Sequence, residues 1–265
     1  MKPTAWHWPE YLIEAWALGT FMVSAVAFTV LLEHPDSPVR RSLPNGDLRR
    51  LLMGLAMGAT AIALIYSRLG ARSGAHMNPA VTLTFARLGK IAPLDAGAYV
   101  VFQFLGAVAG LILARSIFAA SIGHPAVNYV ATVPGPLGPG IAFVAEVVIA
   151  LCQMSVVLWM SNGRYARFTG LAAGAMVGVY IFVEAPLSGM SLNPARSFAP
   201  ALLSGELSTL WIYFAAPCLG MALAAALFTR RRGLRAVLCA KLNHAGAGPC
   251  IFCEMPASPA AGPAL

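Results

Sequence analysis

The tripeptide Asn-Pro-Ala occurs twice in this chain, at Asn78-Pro79-Ala80 and at Asn193-Pro194-Ala195. Asn is among the best helix N-caps, because its side-chain oxygen accepts a free backbone N–H of the first turn. Pro suits the first helical position, since it has no N–H to leave unpaired. Each tripeptide therefore predicts a helix start whose Asn side-chain NH2 can donate a hydrogen bond to a passing molecule.

The two copies share their surroundings. Each follows a Ser-Gly pair, and a shift of 115 residues superposes Ser73 on Ser188 and Asn78 on Asn193. A single Asn-Pro dipeptide is common in turns, so one copy alone would indicate little. Two copies with matching flanks, each in a short segment between long apolar runs, predict two short helices that begin inside a bilayer. Their N-termini would each present roughly half a positive charge at mid-membrane. This arrangement makes a pore for small uncharged molecules.

The composition places the chain in a membrane. Hydrophobic residues make up 58% and charged residues 11% of the 265 residues, with a mean hydropathy of +0.73. A soluble domain would carry roughly a quarter charged residues. The formal charge of +8 would suggest a nucleic-acid partner in a soluble protein. Here most basic residues flank apolar runs, where they orient spans, so no nucleic-acid partner is expected.

Six stretches approach the length of about 20 residues that crosses a bilayer. They are roughly residues 11–32, 50–67, 96–119, 139–160, 168–186 and 208–229. Two shorter semi-polar segments hold the Asn-Pro-Ala copies. We therefore predict an all-α membrane protein with six transmembrane helices and two re-entrant half-helices. Because each half has three spans, the halves must cross in opposite directions, as an inverted repeat with its functional site near the midplane.

The predicted channel covers residues 1–233, with half repeats at about 8–120 and 138–233. Residues 234–265 are predicted to form a cytoplasmic tail. With both termini cytoplasmic, 12 Lys and Arg residues lie inside and 6 lie outside or in the outer leaflet. This distribution favours cytoplasmic termini, although the four Arg residues counted with the first loop argue against it, namely Arg40, Arg41, Arg49 and Arg50.

These features match a known family. The chain resembles the major intrinsic proteins, the aquaporins and glycerol facilitators, over about residues 10 to 230. The matching signatures run from Ser73 through Asn78 to Leu83 and from Ser188 through Asn193 to Arg196. Further matches are Glu14 with Gly19-Thr20-Phe21, Tyr99 with Gln103 and Gly106-Ala107, and Trp211 with Pro217 and Gly220. The resemblance implies an aquaporin-like fold, a homotetramer with one pore per subunit, and placement in the cell membrane.

The resemblance also implies roles in the pore. Asn78 and Asn193 would hold the oxygen of a passing molecule. Arg196 would line the outer constriction and repel cations, while the half-helix dipoles oppose protons. An Arg at membrane depth is costly unless it faces water, and the alternative for Arg196 is snorkelling to the surface.

Three further polar residues have implied supporting roles. Glu14 and Glu146 would accept backbone N–H bonds from the re-entrant loops and brace them. His76 would brace the first loop, with a pH gate as the alternative. Glu184, nine residues before Asn193, is expected either near the outer mouth or in solvent at a helix end.

The resemblance favours water as the solute. Water-selective members tend to have Ser after the filter Arg, Ala four positions further on, and two aromatics in the last span, as in Ser197, Ala201, Tyr213 and Phe214 here.

The selectivity filter expected from the resemblance is less typical of a water channel. Met57 is expected at its first position, with Gly58 as the alternative. The four filter residues are Met57, Ile181, Met190 and Arg196. Without a His, this filter is more apolar, and flexible Met side chains could admit larger neutral solutes. A glycerol, ammonia or small-solute facilitator is therefore the alternative function.

The tail contains Cys239-x4-His244-x5-Cys250-x2-Cys253. Four soft ligands with one Cys-x2-Cys could hold zinc tetrahedrally. A flexible tail with incidental thiols is the alternative. Transport itself is expected to need no cofactor.

Other function classes find less support. We see no nucleotide-binding Gly-rich loop and no nucleophile paired with a base, so no enzyme activity is expected. An ion-coupled secondary transporter is the stronger rival, since inverted repeats with intramembrane Glu residues also suit ion coupling. It would require Glu14 or Glu146 to change protonation during turnover.

Overall fold

The computed structural model describes residues 6–244 and 250–253, and within them the chain is helical with no β-strand. In this described part of the chain, six helices are long and apolar enough to cross a bilayer, and each overlaps one predicted span. Two half-length helices, α5 (Pro79–Arg87) and α10 (Pro194–Ser204), begin at the Asn-Pro-Ala copies, which confirms the predicted fold class. The helices are α1 Trp8–Glu33, α2 Pro38–Ser42, α3 Gly46–Tyr66, α4 Arg68–Ser73, α5 Pro79–Arg87, α6 Pro93–Ile122, α7 Gly138–Ser161, α8 Thr169–Val183, α9 Ala185–Ser188, α10 Pro194–Ser204 and α11 Leu210–Arg232.

The element order repeats between the halves. The series α1, α3, α4, α5 and α6 recurs as α7, α8, α9, α10 and α11. Within each half the first span packs along the last, α1 on α6 and α7 on α11, while α3 packs on α8 between the halves. The half-length helices cross over: α5 contacts α11, and α10 contacts α6. This exchange brings the N-termini of α5 and α10 together in the interior.

Glycines permit the closest helix contacts. A Cβ on Gly178 would lie 2.8 Å from the carbonyl oxygen of Gly54, at the crossing of α8 and α3. A Cβ on Gly106 would overlap the backbone of Ala15, where α6 crosses α1. Lipid supplies no hydrophobic driving force between helices, so van der Waals contact between closely spaced backbones holds these helices together. The small residues of the spans therefore set the helix positions around the interior.

Part of the predicted tail packs against the helical body. Val237 and Ala240 are fully buried, and Leu242 and Phe252 are nearly so. The backbone N–H of Leu242 donates to the carbonyl oxygen of Gly74, just before the first re-entrant helix (3.1 Å). The chain after α11 thus returns to the Asn78 loop.

Candidate permeation site

The two Asn side chains make reciprocal contacts. Asn78 caps α5, with Oδ1 accepting from the N–H of Ala80 (2.9 Å), and its Nδ2 donates to the carbonyl oxygen of Leu192 (2.8 Å). Asn193 caps α10 in the same way, and its Nδ2 donates to the carbonyl oxygen of Met77 (2.6 Å). Each amide therefore bonds to the residue before the opposite Asn. Because an amide NH2 has two hydrogens, each keeps a second donor for a solute.

Both Asn residues line one cavity of about 520 Å³. Near one end the wall includes Glu33, Asp47 and Arg49, and we call this the arginine end. At the other end it includes Leu242, and we call this the tail end. The wall follows α3 from Asp47 to Ile65, so the cavity runs along most of that span, and both Asn residues belong to the same wall.

Glu14 holds the first re-entrant loop. Its Oε1 accepts from the Ser73 hydroxyl (2.8 Å) and the His76 N–H (3.1 Å). Its Oε2 accepts from the Met77 N–H (2.6 Å) and the Gln103 side-chain amide (2.8 Å). Four donors thus converge on one fully buried carboxylate. This geometry suits a structural role in which the Glu14 carboxylate holds the first re-entrant loop in place.

Glu146 holds the second loop with the same pattern. Its Oε1 accepts from the Ser188 hydroxyl (2.8 Å) and the Ser191 N–H (2.6 Å), and its Oε2 accepts from the Leu192 N–H (2.8 Å). Charge-assisted bonds of this kind are roughly twice as strong as neutral ones. The carboxylate therefore fixes the residue whose carbonyl receives the Asn78 amide.

The braced loops have unusual backbone conformations. Ala75, Met77, Met190 and Leu192 all have φ between 48° and 60°, in the left-handed region. Such conformations cost on the order of 1–3 kcal/mol each for residues other than Gly, and persist only where surrounding structure enforces them. The two carboxylates supply that enforcement, since each bonds the N–H of a left-handed residue next to an Asn.

Tyrosine hydroxyls add matching supports. Tyr99 donates to the carbonyl oxygen of Ser73 (2.7 Å), and Tyr213 donates to that of Ser188 (2.6 Å). Both tyrosines were noted from the sequence as matches to the family, but neither was predicted to support a re-entrant loop. The signal was available, since each lies in the last span of its half.

His76 joins the first loop to the tail. Its Nδ1 lies 3.0 Å from the Thr82 hydroxyl, and its Nε2 lies 2.7 Å from the carbonyl oxygen of Ala240. The carbonyl can only accept, so Nε2 carries a hydrogen and donates. The ring is stacked between Phe85 and Phe252, with centroids 5.4 and 5.6 Å away. These contacts favour the bracing interpretation, and they include a tail contact that sequence reasoning missed.

The four predicted filter residues face the same cavity: Met57, Ile181, Met190 and Arg196. Gly58, the alternative to Met57, instead packs against α8, where a Cβ would lie 2.8 Å from the carbonyl oxygen of Gly174.

Arg196 is oriented by neighbouring polar groups. Its Nη1 donates to the Thr132 hydroxyl, and that hydroxyl lies 2.8 Å from the Ser197 hydroxyl. Arg196 is half-buried and forms part of the cavity wall, which favours the pore-lining interpretation over snorkelling. Sequence reasoning missed Thr132, because it lies in the Pro- and Gly-rich connection between the halves.

Two further arginines lie at the arginine end. Arg49 pairs with Glu33 (3.2 Å), and Arg50 pairs with Asp47 (2.5 Å) and donates to the carbonyl oxygen of Phe182 (3.0 Å). The sequence analysis counted them as loop charges, but both belong to α3 and line the cavity. They place two carboxylate-paired guanidinium groups at this end of the cavity.

Glu184 is not in solvent, and the next residue, Ala185, lines the cavity. Glu184 lies between α8 and α9 with 4% of its surface exposed, and it is not part of the cavity wall. Burial, and next the nearby charge of Glu146, raise the pKa of Glu184 to about 7. The carboxyl therefore holds its proton to higher pH than an exposed Glu does.

The four candidate metal ligands come together. The ligating atoms of Cys239, His244, Cys250 and Cys253 all lie within 4.8 Å of one another. Cys239 and Cys250 are buried, and His244 and Cys253 are half-buried. The hydrogen bond from Cys239 lowers the pKa of the Cys250 thiol. The donor set and its spacing fit a soft divalent cation such as zinc.

Comparison with known proteins agrees with this architecture. A family model described as "Major intrinsic protein" matches residues 4–228. The glycerol uptake facilitator protein-like 6 of Lactiplantibacillus plantarum is 34% identical over 220 residues, covering 82% of this chain and 94% of that protein. Aquaporin NIP1-1 of Zea mays is 34% identical over 181 residues, which cover 66% of this chain and 61% of the maize protein. This chain therefore spans about three fifths of the length of that relative.

A solved structure shares the fold. The aquaglyceroporin from Plasmodium falciparum superposes with a TM-score of 0.66 at 21% identity, over 83% of this chain and 94% of that chain. The crossed half-length helices, the reciprocal Asn contacts and the family match over most of the sequence lead to one assignment. The chain belongs to the major intrinsic protein family.

Proposed function

We propose that this protein is a passive channel for small uncharged molecules, with water as a principal solute. The observation that carries the proposal is the pair of Asn amides, each bonded to the opposite re-entrant loop, on the wall of one cavity that follows a membrane span. Their spare hydrogens can replace the bonds that a water molecule loses on leaving bulk solvent. The family membership supports the same solute class.

Exclusion of cations and protons follows from the positive charges around the cavity. Arg196 presents a fixed positive charge, and the N-termini of α5 and α10 add partial positive charge where the Asn residues meet. Cations and protons are therefore repelled along the same path. Glu14 and Glu146 are occupied by loop donors, which supports a bracing role over a proton-relay role.

We propose glycerol-sized solutes as a second class. Met57, Ile181 and Met190 add apolar surface to the cavity wall that also holds the donors of Arg196. A polyol can place its carbon chain on such a wall and its hydroxyls toward the donors. The relative named as a glycerol uptake facilitator, which this chain matches over 94% of its length, favours the same proposal.

Stopped-flow light scattering on proteoliposomes tests the function. Vesicles with the channel should shrink faster than protein-free vesicles under an osmotic gradient, and should re-swell faster when the osmolyte is glycerol. Neither rate should change when a proton or sodium gradient is imposed. Rates equal to those of protein-free vesicles would refute the channel, and rates that need an ion gradient would favour a coupled transporter.

A matched pair of variants tests the site. Asn193→Ala removes a helix cap, worth about 1 kcal/mol, together with the amide that faces the solute. Asn45→Ala removes the cap of α3, which also accepts two backbone N–H bonds but does not line the cavity. We expect Asn193→Ala to lower water permeability and Asn45→Ala to leave it unchanged. Equal effects would show that the amide has no part in permeation.

We further propose that the protein is a homotetramer in the cell membrane with both termini cytoplasmic. Large apolar side chains such as Leu12, Leu55 and Val144 are each more than half exposed in the single chain, which supports contact with lipid or neighbouring subunits. Native mass spectrometry in detergent tests the tetramer. Accessibility of a C-terminal tag in sealed cells tests the orientation.

A further inference from the structure

The cysteine and histidine cluster has the dimensions of a metal site. A tetrahedral zinc site with Zn–S bonds of about 2.3 Å places neighbouring ligand atoms roughly 3.5–3.8 Å apart. Cys239 Sγ lies 3.5 Å from Cys250 Sγ, and His244 Nε2 lies 3.3 Å from Cys253 Sγ. Two ligands are buried and two are half-buried, so a cation can enter from solvent and then be held. Three thiols and one imidazole form a closed donor set of the structural type.

The segment that carries the cluster is fixed to the first re-entrant loop. Besides the Leu242 bond to Gly74 described above, Lys241 Nζ donates to the carbonyl oxygen of Ala71 (2.9 Å), and Ala240 accepts from His76. Phe252, next to Cys253, covers the His76 ring and contacts Tyr99. In sequence, Cys239 comes just before and Cys253 just after the residues that contact the first re-entrant loop.

The same segment reaches the cavity. Leu242 lies between two of the ligand positions in sequence and forms part of the cavity wall at the tail end. Its side chain is 5% exposed, so it is packed in place and does not extend into solvent. A cation that joins Cys239 and His244 would fix the short chain that holds Leu242.

We propose that Cys239, His244, Cys250 and Cys253 bind one zinc-like divalent cation, and that this cation holds residues 237–243 as a collar that narrows the tail end of the pore. Each thiol that coordinates as thiolate releases its proton to solvent on binding. No change in oxidation state is involved. The metal site is independent of transport, whereas the narrowing rests on the proposed channel function.

Metal analysis of the purified full-length chain tests the site. With thiols kept reduced, we expect one Zn²⁺ per chain after dialysis, and Co²⁺ substitution should give the visible bands of tetrahedral thiolate coordination. Cys250→Ser should weaken Zn²⁺ binding by more than the roughly 10–100-fold typical for loss of an outer-shell partner. Cys152→Ser, in α7 and exposed on the outside of the bundle, should bind Zn²⁺ as the unaltered chain does. Absence of bound metal in the unaltered chain, or equal loss in both variants, would overturn the site.

Permeability measurements test the collar. Removing the metal with a chelator should raise the rate of glycerol entry into proteoliposomes, and re-adding Zn²⁺ should lower it again. Leu242→Ala should raise the same rate while keeping one metal per chain. Unchanged rates with a demonstrably occupied and then emptied site would overturn the collar but leave the site standing. If no condition gives glycerol or water flux above protein-free vesicles, the failure belongs to the proposed channel function.

Discussion

Replacement of Glu146 by Gln tests how the second loop is held. In the structure the carboxylate accepts two backbone N–H bonds and one hydroxyl bond, and the residue is fully buried. A Gln side chain keeps one acceptor oxygen and turns an NH2 toward the remaining donor. At least one buried donor, the N–H of Leu192 or of Ser191, then loses its acceptor.

The size of the effect follows from these bonds. An unsatisfied buried donor costs about 1–3 kcal/mol. The surviving bonds lose the charge that makes them roughly twice as strong as neutral ones. Removing a buried charge recovers part of that loss, because charges are costly to take out of water. We expect Glu146→Gln to lower the free energy of unfolding by about 2 kcal/mol, within the usual range for a broken buried network.

The assay compares denaturation in mixed micelles with water permeability in proteoliposomes. Leu192 carries the carbonyl that receives the Asn78 amide, so loosening it should lower permeability as well as stability. Glu206→Gln is the matched control, since Glu206 is exposed in the loop before α11. If Glu146→Gln is as stable and as permeable as the control, the residue is not an ionised brace and our account of the loop is wrong.

Three further outcomes are expected. Arg196→Ala, alone or with Met190→Ala, should admit larger neutral solutes and more cations; unchanged water, glycerol and ion permeability would show that these residues do not form the constriction. Gly106→Ala should cost about 1–3 kcal/mol through overpacking against α1, whereas Gly97→Ala, in the same helix with open space around it, should be neutral or stabilising in the same denaturation assay. For Glu184, a folded-state pKa of about 7 means that the folded chain binds the extra proton, so stability falls as pH rises from about 4.5 to about 7. Glu184→Gln should therefore gain melting temperature over the unaltered chain across that window, and a constant difference at every pH would contradict the assignment.

Much of the fold was predictable because the bilayer limits the possible structures. A spanning segment must satisfy its own backbone polar groups, so about 20 apolar residues predict a helix wherever they occur. All six spans follow from that rule. Asn78 and Asn193 were predictable because capping is local: each oxygen bonds an N–H only two or three residues ahead.

The details of the site were less predictable. The choice between Met57 and Gly58 depends on a one-residue rotation about α3, and only the packing of Gly58 against α8 decides it. Glu184 was expected at a solvent boundary, but the fold around α9 buries it. Arg49 and Arg50 were counted as loop charges, because their partners Glu33 and Phe182 come from other segments of the chain.

The sequence by itself determined the spans, the repeat, the two helix caps and the grouping of soft ligands in the tail, since all of these depend on residue type and near-neighbour spacing. Tertiary structure decided that the caps exchange amides across the interior, which side chains face the cavity, and that the tail returns to the pore. The bond from His76 to Ala240 joins residues 164 positions apart. Contacts over such distances arise from the packing of whole helices, and no local pattern encodes them.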